Sequence, residues 1–436
     1  MKYDIVVAGG GPAGLMAAKT AAEDGLKVLL IERKKEVTEV KRLCGRLTNI
    51  SLINVSGRLK YGYTEPLNFD IGTDKTRVHF PALGFSIDYN GPLRPYLNYM
   101  YFSPSGYHVY REKNRLFGFF WEKEALLSGL LSSAVKAGVE VITETIAMGA
   151  ENTPDGVKVL VRGKSGEQTL EAKKAIAADG TNSMIVDSLG LNEKRRVLGR
   201  GGGGVGYVLE GIESEFRLNT WINFTIPDTG RGNFHMFMMT GDRNMVGGGG
   251  AGSEGLEKFM KLPFYEYWFR NARVVEKVAT AMASGPRTPL WEPVAGNVLA
   301  IGDAAALVEV TNPGAIACGY LGAKATLKEL NGQKGYPEYI IWWQKSFDTN
   351  DPGYLKASGR NFIINSICCN EEIDYLYHLV QDQMGVPAIL IARNLERIKG
   401  ERPKLYAKLK EAGMSENVDE VKMDLGQVLE KREKGI

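Results

Sequence analysis

The chain has 436 residues, 44 % hydrophobic and 24 % charged, and a formal net charge of +3. That length exceeds one compact core and implies two or three globular units, while so small a charge gives no electrostatic reason to expect nucleic acid as a partner. Its four cysteines, Cys44, Cys318, Cys368 and Cys369, form no disulfide framework and show no zinc or iron–sulfur spacing, so no metal is expected.

The opening, Met1 to Ala8, has neither the charged region nor the apolar stretch of a secretory signal, and no apolar run is long enough to cross a bilayer. A cytoplasmic protein is expected. The apolar run Ile5-Val6-Val7-Ala8 predicts a strand, Gly9-Gly10-Gly11-Pro12-Ala13-Gly14 a tight turn, and Leu15 to Ala22 a helix. A second strand, Val28 to Ile31, ends in Glu32, followed by Arg33. This is the βαβ setting of a dinucleotide site. Gly9, Gly11 and Gly14 let the backbone turn and approach a pyrophosphate at the helix start marked by Pro12 and Ala13, and Glu32 is placed for ribose hydroxyls. The same glycine pattern recurs at Gly201–Gly206 and Gly247–Gly252 without a strand–turn–helix setting. Those two read as glycine-rich strand segments where another backbone or a ligand comes close.

Strand character continues at Arg77–Pro81, Phe85–Tyr89, Trp221–Thr225 and in a hairpin from Phe234 to Val246. The run Ala175–Ala178 leads into Asp179-Gly180, and Asn297–Ile301 delivers Gly302-Asp303. A carboxylate at such a strand end can accept from a ribityl hydroxyl. Pro313 and Gly314 are expected to open a helix with Ala315 and Ile316, its amides facing the pyrimidine edge of a flavin; a plain helix start is the competing reading. From about residue 335 the spacing turns helical, and 404–436 is a strongly charged helix or tail.

With these motifs in order, the chain resembles the geranylgeranyl reductase family of FAD-dependent oxidoreductases, within the glutathione-reductase-like and aromatic-hydroxylase-like flavoproteins. Gly9–Gly14, Asp179-Gly180 and Gly302-Asp303-Ala304-Ala305 match the three FAD segments of that superfamily, and Lys41-Arg42-Leu43-Cys44-Gly45 resembles the Cys-Gly segment of the reductases. The stretch Phe234–Met239 departs from the family's Tyr-x-Trp-x-Phe-Pro segment, having neither Trp nor Pro.

The resemblance implies an α/β fold: a Rossmann-type FAD-binding domain over 1–75, 105–190 and 285–330, an inserted β-sheet substrate domain over 76–104 and 191–284, and a helical C-terminal region over 331–436. It implies FAD as cofactor, with Gly45 among the cofactor-binding residues and Cys44 on the substrate side of the flavin; Arg42 reads as a contact to FAD phosphate or as a solvated loop charge. On the substrate side Cys44 is a proton donor or a small buried hydrophobe. His235 is the histidine to test, on a strand expected to line the substrate cavity, though a lone histidine is more often a satisfied packing residue. Adjacent Cys368 and Cys369 read as buried thiols. Three reactions stay open. One is reduction of a C=C bond in a hydrophobic isoprenoid or lipid by hydride from flavin N5; the others are aromatic hydroxylation and electron transfer to a quinone or protein. Ferredoxin, NAD(P)H or a reduced flavoprotein would be the electron donor, and peripheral membrane contact stays open.

Overall fold

A computed structural model describes residues 2–42, 44–50, 63, 65–198, 202–229, 232–249, 252–282, 285–350 and 364–415. Strand β1 (Tyr3–Ala8) is almost entirely buried. It pairs in parallel with β2 (Val28–Ile31) on one side and with Gly166–Ala177 on the other. Runs of Val, Ile and Leu without alternation suit such a strand, because both faces of the sheet are covered. Helix α1 (Pro12–Glu23) makes the crossover from β1 to β2, with proline in its first turn where the missing N–H costs nothing.

The sheet continues beyond β2 with Glu140–Ile142, and on the other side with the antiparallel strands Gly156–Gly163 and Ile146–Thr153. Gly166–Ala177 is long enough to pair twice on that side: its first half meets Gly156–Gly163, and its last three residues run parallel to Val298–Ala300. Both Asp179 and Asp303 therefore leave the sheet at the same edge as the turn after β1. The long helix Thr311–Leu330 packs on α1. That contact requires glycine at 319, where a Cβ would stand 2.3 Å from the Ala13 carbonyl oxygen and 2.8 Å from Met16 Cβ.

A second sheet has seven strands in the order 273–282, 202–210, 243–249, 232–238, 220–226, 98–102 and 108–112. One face carries Phe102, Tyr207, Ile222, Phe224, Phe234 and Met236, sealed by Leu256, Phe259, Tyr265 and Trp268 of two short helices. The other face presents Val208, Trp221, Phe237 and Met245 to Tyr96, Phe117 and Phe120. Phe234 and Phe237 thus serve opposite faces. The two glycine runs outside the dinucleotide turn lie on neighbouring antiparallel strands, with Gly204 opposite Gly249 and Gly206 opposite Gly247. A Cβ on Gly248 would come within 1.9 Å of the Asn233 carbonyl oxygen, so close backbone approach explains that glycine.

Four helices between Asn370 and Glu411 build their own core around Ile373, Leu376, Ile391 and Leu395, and reach the second sheet through Val109. The Thr225 and Tyr377 hydroxyls bond at 2.8 Å, and Asp374 accepts from Ser103 at 2.6 Å.

Two expectations are corrected. The long helix begins at Thr311 rather than at Pro313, so Pro313 and Gly314 fall within its first turn. Cys368 is buried, but Cys369 is exposed and stands at the N-cap of the helix Asn370–Val380, where its N–H donates to Glu372 Oε2. The greater part of the charged tail, 416–436, and Leu43 lie outside the described residues, as do Gly201 and Gly250 of the two further glycine runs. No helix among the described residues is long and apolar enough to cross a membrane.

Candidate functional site

The turn after β1 is built by close backbone contact. Gly9 has φ of +104°, and a Cβ there would lie 2.3 Å from the Ala178 carbonyl oxygen. The glycine turn is thereby packed directly on the Asp179-Gly180 segment. A Cβ on Gly14 would stand 1.8 Å from the Gly9 carbonyl oxygen, so only glycine closes the turn onto α1. Gly302, at φ of +63°, lies with its Cβ position 3.1 Å from Ala13 Cβ. The three motifs, scattered over some three hundred residues, thus meet around the first turn of α1.

Glu32 is buried, and its Oε2 accepts from the Gly10 N–H at 2.6 Å while Oε1 accepts from the Lys34 N–H at 2.9 Å. The carboxylate braces the turn and keeps lone pairs for further donors. Arg33 beside it is exposed. Asp179 Oδ1 is buried without a partner, and burial pushes its carboxyl up to about 6 despite the Ser183 hydroxyl and nearby backbone N–H groups. Asp303 Oδ1 accepts from the Val310 N–H at 3.0 Å, and Oδ2 lies 3.8 Å from Arg42 Nη2. Thr311, which starts the long helix, has φ of +62°, a strained value for a β-branched residue and of the kind that accumulates at functional sites.

A dinucleotide fits these residues. Nothing lies within 4 Å of the Cβ position of Gly11, so that flank of the turn is open. No side chain caps α1 at Gly11, which leaves the first-turn amides of Ala13 and Gly14 for an anion. The unpartnered Asp179 oxygen lies at the same place.

Arg42 lies beside Asp303, while Gly45 lies against the second sheet. A Cβ on Gly45 would stand 2.7 Å from Trp221 Cη2. Trp221 stacks on Phe237, with ring centroids 5.0 Å apart and planes 4° from parallel, and has His235 beside it with ring centroids 5.9 Å apart. His235 Nδ1 donates to Asn223 Oδ1, which also accepts from Trp221 Nε1 at 3.1 Å. Burial pushes the His235 ring down to about 4, so it is neutral at pH 7. Gly314 packs its α-carbon against Phe347 and Tyr63, with Pro313, Ala315 and Ile316 buried around it. The structure thus brings Arg42, Cys44, Gly45 and Asp303 together with the dinucleotide turn, and links His235 to them through Trp221.

Sequence reasoning missed the residues opposite Cys44. Lys123, the first residue of α2 (Lys123–Lys136), is buried with Nζ 3.7 Å from Cys44 Sγ. Arg46, at φ of +50° and buried, makes a two-pronged bond to Glu124, with Nη2 to Oε1 at 2.7 Å. The Arg46 carbonyl accepts from the Trp121 N–H at 3.0 Å. Three contacts therefore clamp the cysteine loop to the start of α2. Among the described residues no cluster of three or more metal-ligating side chains occurs.

Comparison with known proteins agrees with this geometry. Residues 4–37 match the FAD dependent oxidoreductase family, and residues 122–240 match the FAD binding domain family. The digeranylgeranylglycerophospholipid reductase of Methanocaldococcus jannaschii is 24 % identical over 94 % of this chain and 98 % of its own length. That of Methanococcus vannielii is 25 % identical over 85 % and 92 %. The crystal structure of a geranylgeranyl bacteriochlorophyll reductase-like protein from Thermoplasma acidophilum superposes with a TM-score of 0.67, at 19 % identity, over 94 % of this chain and 98 % of that one. The chain is an FAD-dependent oxidoreductase by its matching segments, and it is similar over most of its length to digeranylgeranylglycerophospholipid reductases.

Proposed function

We propose that this enzyme is a reductase that adds hydrogen across a C=C bond of a hydrophobic, isoprenoid-like lipid, with electrons drawn from ferredoxin, a nicotinamide or a reduced flavoprotein. The observation that carries the reading is the placement of Arg42 beside Asp303 and of Gly45 against Trp221, with the Cys44 thiol between cofactor segments and an apolar wall. The similarity to digeranylgeranylglycerophospholipid reductases supports the same substrate class.

In this reading the backbone of Gly9, Gly11, Pro12, Ala13 and Gly14 holds the pyrophosphate at the start of α1, with Arg33 and Arg42 as nearby cations. Glu32 takes the ribose hydroxyls. Asp179, Gly180, Gly302 and Asp303 take the central part of the cofactor. The first turn of the long helix, Thr311 to Gly314, with Ala315 and Ile316 behind it, would lie toward the flavin's pyrimidine edge, where a helix N-terminus favours negative charge. Bound FAD supplies the electron pair, as hydride from N5.

The chain's own residues then complete the addition. Cys44 donates the proton to the second carbon of the double bond. Trp221, Phe237 and Met245 form an apolar wall that keeps water from competing for it. His235, neutral and bonded to Asn223, shapes that wall and has no acidic proton to give at neutral pH.

The test is anaerobic. FAD-loaded protein, chemically reduced, is offered a geranylgeranyl lipid, and its reoxidation is followed at the flavin absorbance with mass spectrometry of the lipid. Flavin reoxidation matched by a gain of two hydrogens per double bond is expected. No reoxidation by the lipid, together with hydroxylation of a phenol when air is admitted to a parallel sample that contains one, would overturn the reductase reading in favour of a monooxygenase.

A further inference from the structure

The contact opposite Cys44 has a chemistry of its own. Lys123 is 4 % exposed, and among the described residues its Nζ donates to Cys44 Sγ at 3.7 Å. A lysine seldom goes this deep without a carboxylate, because its strongly hydrated ammonium loses water on burial. Of the two carboxylates that flank it in the chain, Glu124 is held by Arg46 and Glu122 accepts from the Thr240 hydroxyl at 3.3 Å. The other charges facing Lys123 are Arg42 on the cysteine loop and Asp303 and Glu309 ahead of the long helix, with Lys34 behind β2. Cys44 itself is half-buried, open enough to meet a small molecule.

We propose that Lys123 is the positioning residue of a proton-donating pair: its ammonium steadies the negative charge left on Cys44 Sγ after the thiol gives up its proton, and then restores that proton. The inference rests on the reductase reading for its place in turnover, but the pairing itself is a property of the resting protein. The step balances. The S–H bond of Cys44 breaks as a C–H bond forms on the carbon beside the one that receives hydride. Sγ next takes a proton from Lys123 Nζ, and the amine regains one from water. Burial lowers the proton affinity of Lys123 from that of an exposed lysine, which eases the second transfer. The geometry is held from outside the pair: the Arg46–Glu124 bond and the Trp121–Arg46 backbone bond fix the loop against α2 on either side of Lys123.

Iodoacetamide alkylation of Cys44 reads the pair directly, because only the thiolate reacts. FAD-loaded protein in a Cys369→Ser background removes the exposed competitor, Cys318 and Cys368 being buried. The rate at Cys44 is followed from pH 5.5 to 9.5 by mass spectrometry. Lys123→Gln is expected to displace the whole profile to higher pH and slow alkylation at pH 7 by about tenfold. Lys123→Arg keeps the cation and should restore most of the rate; Lys123→Met, similar in length and uncharged, should behave as Lys123→Gln. In lipid turnover, Lys123→Gln should lower kcat with little change in KM. An unchanged alkylation profile in either uncharged variant, with the bound-flavin spectrum retained, overturns the pairing. So does a profile displaced equally in Lys123→Arg. Since no substrate enters the alkylation arm, failure of the wild-type enzyme to reduce any alkene would refute the reductase reading while leaving the pair standing.

Discussion

The contact between α1 and the long helix Thr311–Leu330 gives a prediction that separates packing from cofactor binding. In Gly319→Ala the new Cβ would stand 2.3 Å from the Ala13 carbonyl oxygen and 3.0 Å from the Ala17 nitrogen. The first distance is about 1.2 Å short of an ordinary contact near 3.5 Å, and both obstacles are backbone, so no rotamer change relieves them. The helices must move apart by roughly an ångström. Overpacking of this kind costs about 1–3 kcal/mol, and a backbone clash belongs at the upper end. At roughly 2–4 °C per kcal/mol, the apoprotein should lose about 6–10 °C in Tm. The same shift carries Ala13 away from Gly302, so FAD affinity should fall too. Gly11→Ala is the contrast. Its Cβ would meet nothing within 4 Å and its φ of −77° suits alanine, so apoprotein stability should be unchanged or slightly raised. Its FAD affinity should nevertheless fall by about 10–100-fold, because the methyl group occupies space the pyrophosphate needs. Thermal unfolding of the apoproteins and fluorescence titration with FAD measure both variants. Equal Tm values for Gly319→Ala and wild type, or full FAD affinity in Gly11→Ala, would refute the geometry assigned to the turn.

Three further outcomes follow from buried polar groups. Burial raises the Asp179 carboxyl to about 6 from an unfolded value near 3.8, so the folded state binds the extra proton and gains stability as pH falls through that window. Asp179→Asn should therefore stabilise the apoprotein by up to about 3 kcal/mol at pH 7.5, an advantage that disappears in urea titrations near pH 4. His235 has the opposite sign: its ring falls to about 4 from 6.5, so stability present above pH 6.5 is lost as pH drops toward 4. His235→Gln should abolish about 2–3 kcal/mol of that acid sensitivity, and a variant as acid-sensitive as wild type would contradict it. Glu124→Gln strips the charge from the partner of a buried arginine; because Glu124 is itself partly exposed, the cost should be about 1–2 kcal/mol by urea denaturation, and a loss below 0.5 kcal/mol, roughly that of a surface pair, would show the clamp to be slack.

What could be read from the sequence was whatever depends on a few consecutive residues. The turn at Gly9–Gly14 is legible because both neighbours of the glycines, a buried strand and a helix opened by Pro12, are written beside them, and the clash at Gly14 comes from Gly9 only five residues away. The two further glycine runs carry the same letters, yet they lie in adjacent strands of the second sheet, where their glycines serve strand-to-strand approach. The start of the long helix was missed by two residues because Thr311 enters through a left-handed backbone conformation that threonine rarely adopts, so no propensity points there. Cys369 was misjudged because an apolar neighbourhood in sequence, Ile364 to Cys368, ends one residue before it, at a helix cap facing solvent.

Lys123 was hidden for a different reason. In sequence it is one charge among Glu122, Lys123 and Glu124 at a helix start, where such charges are normally solvated. What makes it a partner of Cys44 is the pairing of Gly118–Trp121 with Leu47–Asn49, Phe120 opposite Leu47 and Gly118 opposite Asn49, which lays together two segments far apart in the chain. A signal was nevertheless present. Phe119-Phe120-Trp121 is a bulky run bounded by Leu126 and Leu127, so the first charges after it leave a strand with little exposed surface. The same logic, an apolar strand delivering one charged residue at its end, identified Glu32 and Asp303. A cation delivered at the end of an apolar strand carries the same information as a carboxylate, because a buried ammonium needs a partner as much as a buried carboxylate does.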